Sequence, residues 1–82
     1  MEKEVGKVTH FFKKIMVAGI DITEGKLKLG DKIHIKGGTT DIEMTIDSMQ
    51  IDKDPVEEAV AGQSIGIKVP ELVREGDAVF LM

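Results

Sequence analysis

The sequence contains no cysteine, tryptophan or tyrosine, and only three phenylalanines among 82 residues. Without cysteine there is no disulfide framework, no thiolate metal site and no cysteine nucleophile. No apolar run approaches the roughly 20 residues of a membrane-spanning helix, and the N-terminus, Met-Glu-Lys-Glu, has no apolar stretch of the signal-peptide type. We therefore expect a cytoplasmic protein without membrane contact, folded as one domain over residues 1–82 and stabilised by packing alone.

Acidic residues outnumber basic ones, and the two signs are unevenly distributed along the chain. Eleven Lys and Arg against fifteen Asp and Glu give a formal net charge of −4. Residues 1–36 hold eight lysines against five acids, whereas residues 37–82 hold three basic residues against ten acids. An acidic domain is a poor default binder of nucleic acid, because phosphate contacts need clustered positive charge. The asymmetry leaves two alternatives open: a local basic face, or two differently solvated faces.

Short segments that alternate between apolar and polar residues predict an all-β fold. Residues 32–36 place Ile33 and Ile35 on one face, and His34 on the other face with solvent. The phase of alternation slips after Ile46, which predicts a β-bulge near residues 47–48. We predict six strands, at residues 5–12, 16–23, 32–36, 42–51, 64–69 and 78–81. The core residues predicted from the clearest of these segments are Ile33, Ile35, Met44, Ile46, Ile65, Ile67 and Val69.

Only two places have helical signals, and both are brief. Asp54 precedes Pro55 and Glu57, as at a helix N-terminus, and Gly62 follows. Residues 70–76 could form a second turn of this kind. Six short strands with one or two short helical turns predict a six-stranded Greek-key β-barrel.

Several glycines have structural explanations. Gly30 lies in a turn before a strand, where glycine can supply a positive φ without steric cost. Gly37 and Gly38 fit a hairpin turn, and Gly66 inside a strand indicates a close backbone approach or a barrel corner. A phosphate-binding loop would require a following Gly-Lys-Ser/Thr and a helix, neither of which accompanies Gly37. We therefore expect no bound nucleotide.

The residues that could carry chemistry are few. His10 and His34 lack a third ligand at metal-site spacing, and neither Ser48 nor Ser64 has an evident His–Asp partnership. Glu57 and Glu58 are adjacent and cannot face each other as a carboxylate pair, so they are interpreted as helix N-terminal charges. We predict no catalytic residue, no metal site and no cofactor.

The order of these motifs resembles domain 2 of translation elongation factors of the Tu and one-alpha type. The resemblance rests on EGKLKLGDKIHIKG at residues 24–37, on Ser48, Gln50, Pro55, Glu57–Ala59, Gly62 and Gly66, and on the ending at residues 74–79. The chain is still more similar to the C-terminal domain of collagenase-like peptidases, through residues 8–11, 35–37, 39–41 and 48–51. The resemblance implies a translation-protein barrel without the GTP-binding or catalytic domain of either relative.

Two functions follow as expectations. The resemblance to elongation factors implies a non-catalytic binding module in an RNA or transfer RNA context, and the resemblance to peptidases implies a protein-docking subunit of a larger enzyme. For the first, the candidate contacts with transfer RNA or a ribonucleoprotein are Lys13, Lys14, Lys32, Lys36 and Arg74. A larger protein partner is the alternative. The simplest explanation of these lysines is that they keep a small barrel soluble.

Overall fold

The computed structural model describes residues 3–82, and every regular element in that range is a β-strand. The strands are β1 (Lys3–Phe12), β2 (Val17–Ile22), β3 (Lys26–Lys28), β4 (Lys32–Lys36), β5 (Asp41–Thr45), β6 (Met49–Ile51), β7 (Asp54–Val56), β8 (Glu58–Val60), β9 (Ser64–Lys68) and β10 (Ala78–Leu81). The all-β prediction is confirmed.

Eight of the strands form one antiparallel sheet, in the order β5-β4-β10-β1-β2-β9-β6-β7. The sheet curls into a half-barrel, and β3 and β8 pair separately as a two-stranded ribbon. The long strand β1 accommodates the curvature through two register shifts, between Glu4 and Gly6 and between Val8 and His10. The predicted count of six strands is not reproduced, because the three short strands β3, β7 and β8 carry no alternation long enough to be recognised and the predicted strand at residues 42–51 is divided into β5 and β6.

Neither predicted helical turn is formed within the part of the chain that the structure describes. Residues 54–56 and 58–60 are instead β7 and β8. Pro55 lies in the edge strand β7, where a missing N–H is tolerated, and Glu58 pairs with Lys28 rather than starting a helix. Residues 70–76 form an irregular connection. Pairing with strands distant in sequence overrides the local helix signals.

The phase slip after Ile46 has a different cause from the predicted bulge. Strand β5 pairs with β4 at one edge of the sheet, whereas β6 pairs with β7 and β9 near the other edge. The intervening Ile46 is bonded through its backbone to Gly30 and Asp31. The slip therefore marks the passage of the chain from one edge to the other, and the prediction of a bulge at residues 47–48 is wrong.

The core lies inside the curled sheet and contains aliphatic side chains from most strands. Six of the seven predicted core residues are buried, and the seventh, Met44, is partly buried against them. Ile33, Ile35 and Ile67 have no exposed surface. Of the phenylalanines, Phe11 is partly buried against the core, while Phe12 remains 48% exposed.

Candidate functional site

The basic residues predicted to contact RNA occupy different parts of the barrel surface. Lys13 and Lys14 are exposed in the turn between β1 and β2, and Lys32 and Lys36 are exposed at the two ends of β4. Arg74 lies in the connection between β9 and β10, where its backbone N–H donates to Asp77 Oδ2 at 2.8 Å. The five residues thus come from three separate segments.

Strand register shows which of these residues lie near one another. Lys32 lies beside the Lys3 end of β1, because Lys3 pairs with Leu81 and Leu81 pairs with Ile33. The turn carrying Lys13 and Lys14 lies at the other end of this ten-residue strand, about 30 Å away along an extended chain. The predicted lysines therefore form two groups.

The register also adds a basic residue that the sequence does not single out. Lys36 and Lys7 both pair with Ala78, one on each side of it, and both side chains are exposed. Strand alternation places Lys7 on the outer face, but only the pairing of β1 and β4 with β10 shows that it neighbours Lys36.

His34 differs from its predicted solvated position. Its side chain does alternate to the outer face of β4, yet the residue is only 9% exposed. Asp41 Oδ1 is hydrogen-bonded to its Nε2, and the Phe80 ring lies 6.3 Å from the imidazole, centroid to centroid. The flanking strands β5 and β10 thus cover a histidine that alternation alone assigns to solvent.

A groove of about 480 Å³ crosses the outer face of strands β2, β9 and β6. Its floor contains Gly19 and Gly66, which are paired directly across β2 and β9, and Gln50 pairs with Gly66 from β6. A Cβ atom at Gly66 would lie 3.2 Å from Val17 Cγ1, and one at Gly19 would lie 3.3 Å from His10 Cβ. Neither glycine has the positive φ that favours glycine, so the effect of both is that no side chain projects from the floor of the groove.

The two sides of this glycine-floored groove differ in polarity. One side is apolar and contains Phe12, Ile15 and Val17, of which Ile15 is 59% exposed. The other side contains Lys53 and Ser64, whose hydroxyl donates to Asp21. An apolar wall that faces a few polar groups is the usual character of a binding site.

Backbone strain is concentrated at the turns that border this groove. Met16, Asp52 and Lys53 are the non-glycine residues with positive φ in residues 3–82, at 54°, 50° and 69°. Asp52 and Lys53 form the tight turn between β6 and β7 and line the groove, and Met16 lies between Ile15 and Val17. A left-handed residue with a side chain costs about 1–2 kcal/mol, and such strain tends to cluster at functional sites.

A smaller cavity of about 410 Å³ lies beside the end of β5. Its lining residues include Thr45, Ser48 and Lys68. No cluster of three metal-ligating side chains occurs within residues 3–82, and this range contains no helix that is long and apolar enough to cross a bilayer.

The sequence alone locates only part of the groove. Gly66 is predicted as a point of close approach, but nothing in the sequence connects Gly19, Phe12 and Ile15 with it. The signal that the sequence does contain is a glycine within each of two segments otherwise rich in β-branched residues, since glycine weakens a strand unless something must approach closely.

The chain is similar to short segments of longer proteins. It is 46% identical over 80 residues to an uncharacterised protease of Methanocaldococcus jannaschii, which covers 96% of this chain and 19% of the relative. It is 36% identical over 77 residues to a collagenase of Porphyromonas gingivalis, covering 93% and 21% respectively. The chain therefore spans about a fifth of the length of the curated relatives it matches.

A solved structure shows the fold of the chain, and a family model shows its family. The C-terminal domain of a Geobacillus thermoleovorans protein assigned to the U32 peptidases superposes with a TM-score of 0.90 at 13% identity, covering 98% of this chain and 92% of that one. This likeness shows a shared fold. Residues 16–71 match the family model of elongation factor Tu domain 2, which is more than half of the chain. The chain belongs to the elongation factor Tu domain 2 family.

Proposed function

We propose that this barrel is a non-catalytic accessory domain that docks onto the catalytic part of a larger peptidase-family protein. The observation that supports the proposal is coverage: the alignment includes 96% of this chain but only 19% of the protease that it resembles. The U32 relative has this fold as its C-terminal domain. A unit of this size beside a much larger remainder is suited to docking or recruitment.

The chemistry of the described residues supports a non-catalytic role. His10 approaches a carboxylate of Glu75 at 3.9 Å, and His34 is bonded to Asp41. Ser64 donates to Asp21, so its hydroxyl is directed to an acid rather than to a basic partner. We expect the purified domain to hydrolyse neither GTP nor a peptide substrate. Turnover that disappears on a single point substitution would contradict this expectation.

A chimera tests the accessory role in a relative named for its activity. The matching 77-residue segment of the Porphyromonas gingivalis collagenase is replaced by this chain. The control carries a flexible Gly/Ser linker of equal length instead. We expect the linker variant to lose collagen cleavage or thermal stability and the chimera to recover part of that loss. Equal impairment of the two proteins, or no impairment by the linker, would refute the accessory role.

A second proposed function is binding of RNA such as transfer RNA, which the resemblance to elongation factor Tu domain 2 implies. The proposed contacts include two pairs of lysines, Lys13 with Lys14 and Lys32 with Lys36. The fifth proposed contact is Arg74, in the connection between β9 and β10. Lys13 and Lys14 follow the Phe12 end of β1, whereas Lys32 lies beside its Lys3 end and Lys36 beside Lys7 at its middle. A ligand that contacts both pairs must therefore extend along β1.

Titration of transfer RNA at two salt concentrations tests this second function. The four lysines are replaced together by glutamate, and the salt slope should fall by about 0.7–0.9 for each lysine that binds a phosphate in the wild-type complex. Equal affinities for wild type and the four-lysine variant, or no binding at low salt, would exclude RNA.

A further inference from the structure

We infer that the glycine-floored groove is the docking surface, and that it binds an acidic peptide segment with a bulky apolar side chain. The inference rests on the proposed docking role and adds to it the surface and the chemistry of the partner. The apolar side chain lies on the floor at Gly19 and Gly66, and the carboxylates of the segment lie beside the surrounding lysines.

The apolar side of the groove supplies the first argument. Phe12 and Ile15 are large apolar side chains with 48% and 59% of their surface exposed, and they lie next to each other at a concave site. Scattered apolar residues on a surface need no explanation, but a group of them at a groove marks an interaction site. A bulky apolar side chain would cover both.

The floor supplies the second argument. Glycine inside a strand lowers its stability and often marks a place where a ligand or another backbone approaches closely. Gly19 and Gly66 are paired with each other, and neither has a left-handed φ that only glycine adopts easily. The groove above them, next to Val17 and Gln50, has a volume of about 480 Å³, which is enough for one side chain of a partner.

Charge determines the nature of that partner. Lys53 lines the groove, and Lys13 and Lys14 lie in the turn that joins Phe12 to Ile15. Lys68 pairs with Val17 on the apolar side. Lys68 also lines the smaller cavity beside β5, so the lysines at the groove are Lys53 and the pair in the turn. The carboxylates there are Asp52, which lines the groove, and Asp21 of β2, which accepts the hydrogen bond from Ser64. The surroundings of the groove are thus basic in a chain whose net charge is −4.

The same features favour a peptide over RNA at this groove. Ile15 and Val17 are aliphatic, and Phe12 is the single aromatic side chain among the lining residues. Sequence-tolerant RNA binding depends on successive aromatic platforms for bases. A segment that presents one apolar side chain between carboxylates matches both the apolar wall and the lysines.

Titration by nuclear magnetic resonance tests the inference with defined probes. The ¹⁵N-labelled 82-residue protein is titrated with the peptide Asp-Glu-Leu-Phe-Glu-Asp. Two control peptides replace the four acids by lysine or replace Leu-Phe by Ser-Ser. We expect the first peptide to shift the amide resonances of Gly19 and Gly66, and both controls to bind at least tenfold more weakly. Binding of the lysine peptide with equal affinity would overturn the inference, as would unshifted Gly19 and Gly66.

Matched variants locate the binding surface. Lys13→Glu/Lys14→Glu should weaken binding of the acidic peptide at least tenfold. Lys32→Glu/Lys36→Glu makes the same charge change on β4, which β10 and β1 separate from β2, and should not weaken binding. Gly66→Ala fills the floor and should also weaken binding, with its far-ultraviolet circular dichroism spectrum verifying the fold. Equal losses of peptide affinity in the two double variants would refute a local site. If transfer RNA shifts the amide resonances of Gly19 and Gly66 and the peptide does not, the groove binds RNA instead.

The collagenase chimera separates this inference from the accessory role. Lys13→Glu/Lys14→Glu and Gly66→Ala are introduced into the chimera, and we expect both to reverse its recovery of activity or stability. If the original chimera recovers function and the groove variants recover it equally, the accessory role stands and the groove is not the docking surface. If no chimera recovers function while the peptide still binds the groove, the accessory role is refuted and the groove remains a peptide-binding site.

Discussion

Replacing Gly37 by alanine should destabilise the barrel by about 2 kcal/mol, and the cause should be Asp77. A Cβ atom on Gly37 would lie 2.7 Å from Asp77 Cγ and closer still to Oδ1, so the carboxylate must move. The Asp77 carboxylate is held in place, because Oδ2 accepts a hydrogen bond from the Arg74 N–H at 2.8 Å and the residue is only 5% exposed. Gly37 itself has no left-handed φ, so alanine adds no backbone strain.

The magnitude follows from the hydrogen bond that is broken. A hydrogen bond to a charged group contributes about 1.5–3 kcal/mol, and Asp77→Ala alone should cost a similar amount. In the double variant the added methyl group meets no carboxylate, so Gly37→Ala should cost almost nothing further. The two substitutions should therefore be non-additive by about 2 kcal/mol.

Urea denaturation followed by far-ultraviolet circular dichroism measures these differences, since the chain has no tryptophan or tyrosine to report by fluorescence. Gly38→Ala is the matched control: a Cβ atom there would meet no atom within 4 Å, and φ at Gly38 is also not left-handed. We expect Gly38→Ala to change the free energy of unfolding by less than about 0.5 kcal/mol. Additive effects of Gly37→Ala and Asp77→Ala would refute the steric argument.

Three further substitutions test the packing, the strained turn and the covered histidine. Ile67 has no exposed surface, so Ile67→Ala should cost about 2–5 kcal/mol in urea denaturation, and a cost near zero would contradict the barrel core. Lys53 has a φ of 69°, so Lys53→Gly should raise stability by about 1 kcal/mol, or about 4–8 °C in Tm; an unchanged or lower Tm would show that the turn is unstrained. Asp41→Ala should cost about 1–3 kcal/mol because it removes the carboxylate bonded to buried His34, and a wild-type denaturation midpoint would rule this out.

Regular alternation predicts several strands accurately. Residues 32–36 form a strand with the predicted bounds, because a period of two residues is the direct consequence of an extended backbone. The same reasoning fails for His34. Alternation gives the face on which a side chain lies, but not whether neighbouring strands cover that face, and here Phe80 and Asp41 do.

Segments whose conformation depends on distant partners are not predictable from the sequence. The Asp54-Pro55 motif has the signals of a helix N-terminus, yet pairing with Gln50 and Ile51 makes it an edge strand. The groove depends on distant partners in the same way, since Gly19 and Gly66 become neighbours only when β2 pairs with β9. A single sequence contains both glycines but no information on their pairing.

Residues at the groove lower the stability of the domain, which indicates that the shape of the groove has a role other than folding. Small domains without disulfides have only a few kcal/mol of net stability, so left-handed turn residues at about 1–2 kcal/mol each are substantial. Asn-Gly would form the turn at Asp52 and Lys53 with less strain, and glycine inside β2 and β9 weakens those strands. These features instead coincide at a surface where exposed apolar side chains and lysines meet, which is the combination that an acidic, apolar segment of a larger partner requires.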